Sequence, residues 1–282
     1  NKEITAIIKV IPEYFNETTY SNKADNILNS KNIISVLDEI SESFAFLTVG
    51  HWLQGQIGED RKNIGGVVHS FFDTFKNKKD APCLVLKTSG ATYSVMDRMD
   101  IESKINQIRE MYGNTKLPNV YVLHGDLTDD EMNSLYNHPK VKAMISFTKA
   151  EGFGRPLLEF STTSKPILAP HYSGQSDFLN SDFICALPGH LTPIHPSAQN
   201  EFLIGEAKWF TVDYSYASKM IDEVYTNYKK WQELAKRQRY FVNSTFTEQV
   251  VETEYAKIID IIKDVMNLLP KQVELKLPQL KK

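Results

Sequence analysis

Two acidic residues flank a glycine-containing bend near the middle of the chain. Glu151 and Glu159 lie eight positions apart, and the seven residues from Gly152 to Leu158 separate them. A carboxylate accepts hydrogen bonds from vicinal hydroxyl groups such as those of ribose or a hexose. Glycine permits positive φ and a close approach of the backbone to a ligand. The segment therefore predicts a binding site for a sugar or a phosphate.

The residues around the bend predict the elements that position it. The apolar run Val141–Phe147 predicts a strand before the bend, and Pro156–Thr163 predicts a helix after it. Proline suits the first helical position, and the free N–H groups of a first helical turn attract a phosphate. The spacing of two glutamates is weak evidence by itself. The alternative is that Glu151 caps a turn and Glu159 is a solvated helix residue.

A basic pair, Arg61 and Lys62, precedes a segment of helical periodicity at Asn63–Phe75. Basic residues oppose the dipole at a helix N-terminus, so a compensating anion is expected there. Arginine offers a fork that matches phosphate oxygens, so a phosphate would suit this position. The alternative is an ordinary basic helix start on a solvated face.

Three more polar residues stand at or near the ends of predicted strands. They are candidates for contact with a phosphate or a base, because ligands of parallel sheets bind beyond the carboxyl ends of the strands. The alternative for Lys87 is an ordinary lysine with a buried stem and an exposed head. The alternative for His124 is a hydrogen-bonded histidine of the core. The three residues are His51, Lys87 and His124, and the strands are Phe44–Gly50, Cys83–Leu86 and Val120–Leu123.

Strands alternate with helices from Phe44 to Ala169, which predicts an α/β fold with a doubly wound, mainly parallel, Rossmann-like sheet. Residues 187–210 hold prolines and glycines and predict a long surface excursion, and Tyr214 to Leu269 predicts C-terminal helices. The predicted organisation is a connector at 1–43 with an apolar stretch from Ile4 to Ile11, a ligand-binding domain at 44–269 and a loose tail at 270–282. The remaining predicted elements are helices at Met96–Met111 and Asp129–Tyr136, a strand at Ile167–Ala169, and an amphipathic helix at Glu248–Leu269 with Ile258, Ile261, Ile262 and Val265 on one side.

Bulk composition excludes several classes of protein. The formal net charge of -3 provides no basic field for non-specific binding of nucleic acid. No apolar run reaches the roughly 18 residues that cross a bilayer, and the N-terminus does not resemble a signal peptide, so a cytoplasmic location is expected. Cys83 and Cys185 predict buried thiols in a reducing compartment. The spacing of His171, His190 and His195 matches no common zinc motif.

The segment from Glu151 to Glu159 resembles the E-x7-E signature of retaining glycosyltransferases with the two-lobed B-type fold, particularly the family 4 group. The resemblance extends from about Phe44 to about Leu269. Further pieces that resemble the family are Phe46-Leu-Thr-Val-Gly50, Arg61-Lys62-Asn63, Leu84-Val-Leu-Lys87, Val122-Leu-His-Gly125 with Asp129-Asp-Glu131, and Ser173-Gly-Gln-Ser-Asp177.

This resemblance implies the donor-binding lobe of such an enzyme and a role for each matched residue. Glu159 would hold the ribose hydroxyls, and Arg61 or Lys62 would contact the diphosphate. Glu151, with the backbone of Gly152, Phe153 and Gly154, would hold the transferred sugar and its phosphate. Many family members carry an arginine directly after the first-strand glycine, where this chain has His51. The remaining residues expected in the donor site are Arg155, Lys87 and His124.

The expected function is transfer of a hexose-like sugar from a UDP-sugar or GDP-sugar to an undetermined acceptor. Retention of configuration, independence from divalent metal and the absence of a cofactor follow from the resemblance alone. The alternative is a donor-binding module or subunit that needs an N-terminal acceptor lobe or a partner chain, since about 43 residues before Phe44 are too few for that lobe. By the same resemblance, residues 1–43 are either a connector or the remnant of that lobe. An epimerase or phosphorylase on the same fold is a third interpretation.

Overall fold

The computed structural model describes residues 9–22, 30–53, 55 and 57–268, apart from the side chains at 265, 267 and 268. Most of the predicted apolar stretch from Ile4 to Ile11 lies outside the described residues, as do the predicted tail 270–282 and the side chain of Val265. Residues 9–22 pack against the C-terminal helices. Phe15 is buried, and its N–H donates to the carbonyl of Phe246 at 3.2 Å.

A parallel sheet forms the centre of the domain. Within the described residues it has six strands in the spatial order β3-β2-β1-β4-β5-β6. In register, Leu47 lies beside Val85 on one side and Met144 on the other. This order is that of a doubly wound dinucleotide-type fold, as the alternation of strands and helices predicts. The strands are β1 Ala45–His51, β2 Cys83–Ser89, β3 Val120–Leu123, β4 Val141–Ile145, β5 Ile167–Ala169 and β6 Cys185–Ala186.

Helices cover both faces of the sheet because successive strand residues point to opposite faces. Phe46 of β1 packs with Phe71 in one apolar core, while Leu47 shares the other core with Leu158. Cys83 and Cys185 are both buried free thiols, as predicted. One face carries α2 Ile64–Phe75, α3 Val95–Glu110 and α6 Tyr214–Thr226; the other carries α1 Lys31–Asp38, α4 Asp129–Asn137, α5 Arg155–Ser161 and α7 Tyr228–Thr245.

The surface excursion predicted at residues 187–210 contains a β-hairpin that the sequence pattern did not indicate. Strands β7 Gly189–Pro193 and β8 Lys208–Val212 pair antiparallel there, with Leu191 opposite Phe210. Glycine and proline usually mark turns, yet here they stand at the two ends of β7. A side chain at Gly189 would collide with the Thr211 carbonyl, so the close pairing itself needs that glycine. Trp209 of β8 is buried.

The last helix, α8, covers Glu248–Leu268. Its predicted apolar stripe is largely exposed, with Ile261 39% and Ile262 51% accessible, so the stripe does not pack on the described part of the domain. Hydropathy along the described helices gives no segment long and apolar enough to cross a membrane.

Candidate functional site

The carboxyl ends of β1 and β4 mark the point where the winding of the sheet reverses. From β1 the chain proceeds to β2 and β3 on one side, and from β4 it proceeds to β5 and β6 on the other. A ligand crevice is expected outside such a switch point. A narrow crevice with a cavity volume of about 10 Å³ lies there, lined by Val49, Ser146 and Pro156 together with Lys62 and Glu151.

Arg61, Lys62 and Glu151 meet directly in this crevice. The Arg61 guanidinium donates to Glu151 Oε2 at 2.8 Å and also to the carbonyl of Ala150 at 2.8 Å. Lys62 Nζ donates to Glu151 Oε1 at 2.6 Å, and the Thr148 hydroxyl donates to the same oxygen at 2.6 Å. All three donors hold the carboxylate in one orientation.

The electrostatics of this cluster favour an additional anion. Burial of Glu151 opposes its ionisation, but Lys62, Thr148 and Arg61 outweigh burial and lower the pKa of the carboxyl. Glu151 is therefore ionised at neutral pH. Two cations on one carboxylate leave one positive charge in excess at the crevice. A partly buried charge excess of this kind attracts phosphate more strongly than a fully solvated one.

The bend after Glu151 is fixed by the segment that follows β5. The N–H of Glu151 donates to Ser173 Oγ at 2.9 Å, and the N–H of Gly174 donates to the Glu151 carbonyl at 3.1 Å. A side chain at Gly174 would collide with the Gly152 carbonyl, so the two loops touch through their backbones. The 3₁₀ turn Ser173–Asp177 is thus the support of the bend.

Two details of the bend differ from the sequence-based expectation. Gly154 has a φ of 102°, but Gly152 does not adopt a positive φ. The helix α5 begins at Arg155, so Pro156 occupies the second helical position and not the first. The Phe153 side chain points into the core, 5.1 Å from the Phe178 ring, which leaves its backbone for a ligand.

Glu159 is neither a solvated helix residue nor in contact with Glu151. Its carboxylate is 8% exposed and accepts a hydrogen bond from the Tyr136 hydroxyl at 3.3 Å. Burial raises its pKa to about 7, against the attraction of Arg155, whose Nε lies 3.7 Å from Oε1. Arg155 itself is largely exposed at the first turn of α5.

Lys87 and His124 form a second group: Lys87 lies on β2, and His124 directly follows the neighbouring strand β3. Lys87 Nζ donates to the carbonyl of Gly125 at 2.6 Å, and burial lowers its pKa. The ring of His124 packs edge-on against Tyr93 at 6.2 Å. His51 ends β1, and its Nδ1 lies 2.8 Å from the Ser89 hydroxyl. All of these residues lie toward the same carboxyl edge as the crevice.

The histidines considered for a zinc site are scattered. His195 lies 3.8 Å from Glu59 on the surface, and His190 stands on β7. Across the described residues, no three His, Cys, Asp or Glu side chains are grouped closely enough to hold a metal ion.

Comparison with known proteins identifies the fold. No family model matches the sequence, and neither does any curated protein. The C-terminal domain of a glycosyl transferase group 1 family protein, LpcC from Francisella tularensis, superposes with a TM-score of 0.54 at 11% identity. The match covers 82% of this chain and 97% of that domain. The chain has the fold of a B-type glycosyltransferase domain.

Two longer glycosyltransferase-fold proteins match in the same way. Sucrose-phosphate synthase from Thermosynechococcus elongatus gives a TM-score of 0.59 at 13% identity over 91% of this chain and 53% of its own. HepE from Anabaena, in complex with UDP-glucose, gives a TM-score of 0.56 at 14% identity. The match covers 89% of this chain and 57% of HepE. This B-type domain therefore spans about half the length of these two proteins.

The B-type domain contains site residues that no sequence motif indicated. Thr148 was not expected beside Glu151, because a threonine before a turn carries no distinctive signal. Lys149 is buried, at 2% exposure, although lysine is seldom fully buried unless it is paired. Its position directly after the apolar run Val141–Phe147 and before the bend is the only feature of the sequence that could have indicated its burial.

Proposed function

We propose that this domain is the nucleotide-sugar-binding half of a retaining glycosyltransferase that works without a divalent metal. The convergence of Arg61 and Lys62 on Glu151 at the switch point of the sheet supports the proposal. The excess positive charge fits the diphosphate of an activated sugar. Residues 44–269 form the donor domain in this proposal, and residues 1–43 form the connector to an acceptor lobe.

Breaking the sugar–phosphate bond leaves negative charge on the departing diphosphate. Arg61 and Lys62 offset that charge as it develops, which lowers the barrier if they are already oriented. Glu151 supplies the orientation in the free protein, because it binds both cations. When a diphosphate binds, the cations turn part of their hydrogen bonding to phosphate, and Glu151 gains acceptor capacity for sugar hydroxyls.

The nucleoside lies, in this proposal, between α5 and the segment that follows β3. Glu159 accepts hydrogen bonds from the ribose, and Lys87 and His124 flank the base or the adjacent phosphate. Since burial raises the Glu159 pKa to about 7, a ribose diol binds best once that carboxyl has lost its proton. UDP-sugars are the first donors to test, and GDP-sugars the second.

A second candidate function is a binding module that cannot transfer the sugar by itself. The narrow crevice supports it, because its cavity volume of about 10 Å³ is far less than the roughly 300–1,000 Å³ of ordinary ligand pockets. The site would then be completed by an acceptor lobe or by a partner chain. Both candidates predict donor binding, and they differ in turnover.

The decisive experiment is a thermal-shift panel of UDP-, GDP- and ADP-glucose, followed by calorimetry with the best ligand. A ligand at a hundred times its dissociation constant adds about 2.7 kcal/mol of stability. Donor hydrolysis and transfer are then assayed with and without EDTA. Binding with turnover that EDTA leaves unchanged supports the enzyme, and binding without turnover supports the module. If no nucleotide sugar binds, both candidates are wrong.

A further inference from the structure

A buried lysine lies beneath the turn that carries the two cations. Lys149 stands two residues before Glu151 and is 2% exposed. Its ammonium donates to the carbonyl of Gly58 and lies 4.2 Å from the centroid of the Trp209 ring. An ammonium over an indole face is stabilised by the ring quadrupole, especially where water is excluded. The ammonium therefore links the start of the turn to strand β8.

The backbone of Lys149 makes the same connection. Its N–H donates to the carbonyl of Arg61 at 2.8 Å, and its carbonyl accepts from the N–H of Phe210 at 3.0 Å. Lys149 therefore binds the turn at residues 57–63 at two points, Gly58 and Arg61. Lys149 also contacts β8 through Trp209 and Phe210.

The interior of the turn is polar and closely packed. Asn63, which is buried and has a φ of 51°, accepts hydrogen bonds from the N–H of Gly58 at 3.2 Å and from the Tyr214 hydroxyl at 3.0 Å. A rigid turn of this kind fixes the direction in which its outward-facing side chains leave the backbone.

Asp60 is the charged group of the turn that faces Lys149. Burial raises the pKa of Asp60 to about 6 and lowers that of Lys149 to about 8, while each charge partly offsets the shift of the other. Among the described residues, neither carboxylate oxygen has a hydrogen-bond partner of good geometry, although the N–H groups of Asn63 and Lys62 favour its ionised form. Asp60 therefore depends on the Lys149 charge for compensation.

We propose that Lys149 is a positioning residue for the Arg61–Lys62 pair: its buried ammonium, held between the Gly58 carbonyl and the Trp209 ring, fixes the turn so that both cations reach a bound diphosphate. The hairpin β7–β8 is the support on which this lysine rests. The proposal deepens the proposed function and rests on it for the identity of the ligand. Lys149 does not touch the ligand itself.

The test compares Lys149→Met with a matched control, Lys140→Met. Lys140 also donates its ammonium to backbone carbonyls, those of Asp38 and Ile40, but it stands before β4, at the opposite end of the strand. Two quantities are measured on the full chain: the dissociation constants of UDP and UMP, and hydrogen exchange of the backbone amides of residues 57–66. Thermal melting confirms that each variant is folded.

Lys149→Met is expected to reduce the advantage of UDP over UMP by about tenfold, the effect of losing one charge-assisted contact to the second phosphate. A general loss of structure would weaken both ligands alike, so the ratio isolates positioning. Exchange at residues 57–66 is expected to become faster in Lys149→Met and to stay unchanged in Lys140→Met. If Lys149→Met does not fold, Trp209→Leu serves instead, with a smaller change in the same direction.

An unchanged exchange rate, or an unchanged UDP to UMP ratio, in a folded variant overturns the proposal. The exchange measurement needs no ligand. If the unmutated chain binds neither nucleotide, the proposed function fails while the exchange result still decides whether Lys149 holds the turn.

Discussion

Lys62 and Glu151 are joined by a 2.6 Å hydrogen bond between residues 89 positions apart in the chain. The ammonium side chain is 16% exposed and the carboxylate 9%, so the pair is largely removed from water. Removing one partner of such a buried pair costs much more folding stability than the intact pair contributes net. This bond connects the turn after β1 to the bend after β4, the two loops that border the crevice.

Replacing Lys62 should weaken donor binding. In Lys62→Met a diphosphate loses a charge-assisted contact, which corresponds to about 1.5–3 kcal/mol, or roughly ten- to a hundredfold in affinity. Calorimetric titration with UDP measures the change. Lys76→Met is the control, since Lys76 forms an exposed pair with Asp73. Unchanged UDP affinity in both Lys62→Met and Arg61→Met would remove the diphosphate assignment.

The two cations should differ in their effect on folding stability. Arg61 is 42% exposed on its side chain, and solvent screens its pair with Glu151, so Arg61→Met should cost at most about 1 kcal/mol. Lys62→Met leaves the buried carboxylate with a weaker partner and should cost about 3 kcal/mol. Urea unfolding of both variants gives the comparison. Equal losses in the free energy of unfolding would contradict this difference in solvation between the two pairs.

The two glycines of the bend should behave differently when replaced by alanine. Gly154 has a φ of 102°, and its new side-chain carbon would lie 3.3 Å from the Gln175 side chain, so Gly154→Ala should destabilise the fold by about 1–3 kcal/mol. Gly152→Ala meets no described atom within 4 Å and should fold normally. It should nevertheless weaken donor binding, because the added methyl group would enter the proposed sugar site. Normal donor affinity in Gly152→Ala would place the sugar elsewhere.

The stability contributed by Glu159 should depend on pH in a defined direction. Its pKa rises from 4.5 to about 7 on folding, so the folded chain binds this proton more tightly than the unfolded chain does. Stability is then greatest below pH 4.5 and falls as the pH rises through 7. Glu159→Gln stays neutral, and its stability relative to the unmutated chain should increase by up to about 3 kcal/mol between pH 4 and pH 8. Denaturant titrations at several pH values measure this difference.

The same substitution tests the ribose assignment. An ionised carboxylate is the better acceptor for ribose hydroxyls, so the UDP affinity of the unmutated chain, divided by that of Glu159→Gln, should rise between pH 6 and pH 8. Dividing by the variant removes the titration of the phosphate itself. A ratio that does not change with pH would separate Glu159 from the nucleotide.

Binding of UDP and of inorganic pyrophosphate shows whether Lys87 and His124 contact a phosphate or the base. If Lys87 contacts a phosphate, Lys87→Met weakens both ligands; if it flanks the base, only UDP binding falls. If the His124 ring, which packs edge-on against Tyr93, flanks the base, His124→Ala should weaken UDP alone. Equal weakening of both ligands by His124→Ala would contradict its assignment to the base.

Much of the fold was predictable from the sequence by local rules. The strands from Ala45 to Ala169 and the helices between them follow hydrophobic periodicity closely, and β3 and β5 have the predicted bounds. Buried parallel strands read as continuous apolar runs because helices cover both of their faces. The hairpin β7–β8 was not predictable in this way, since β7 is mostly exposed and carries glycine and proline at its ends.

For the site, the sequence by itself identified Glu151 and the Arg61–Lys62 pair as charged groups beside predicted turns, because residue type and local spacing are enough to recognise a strand, a bend and a helix start. Only the tertiary structure decided that these groups, about 90 residues apart, share one carboxylate, that Glu159 is buried beneath Tyr136, and that Lys149 supports the turn from below. The reason is physical: burial and pairing of charges depend on which strands lie side by side, and strand order follows from packing of the whole chain rather than from any local pattern.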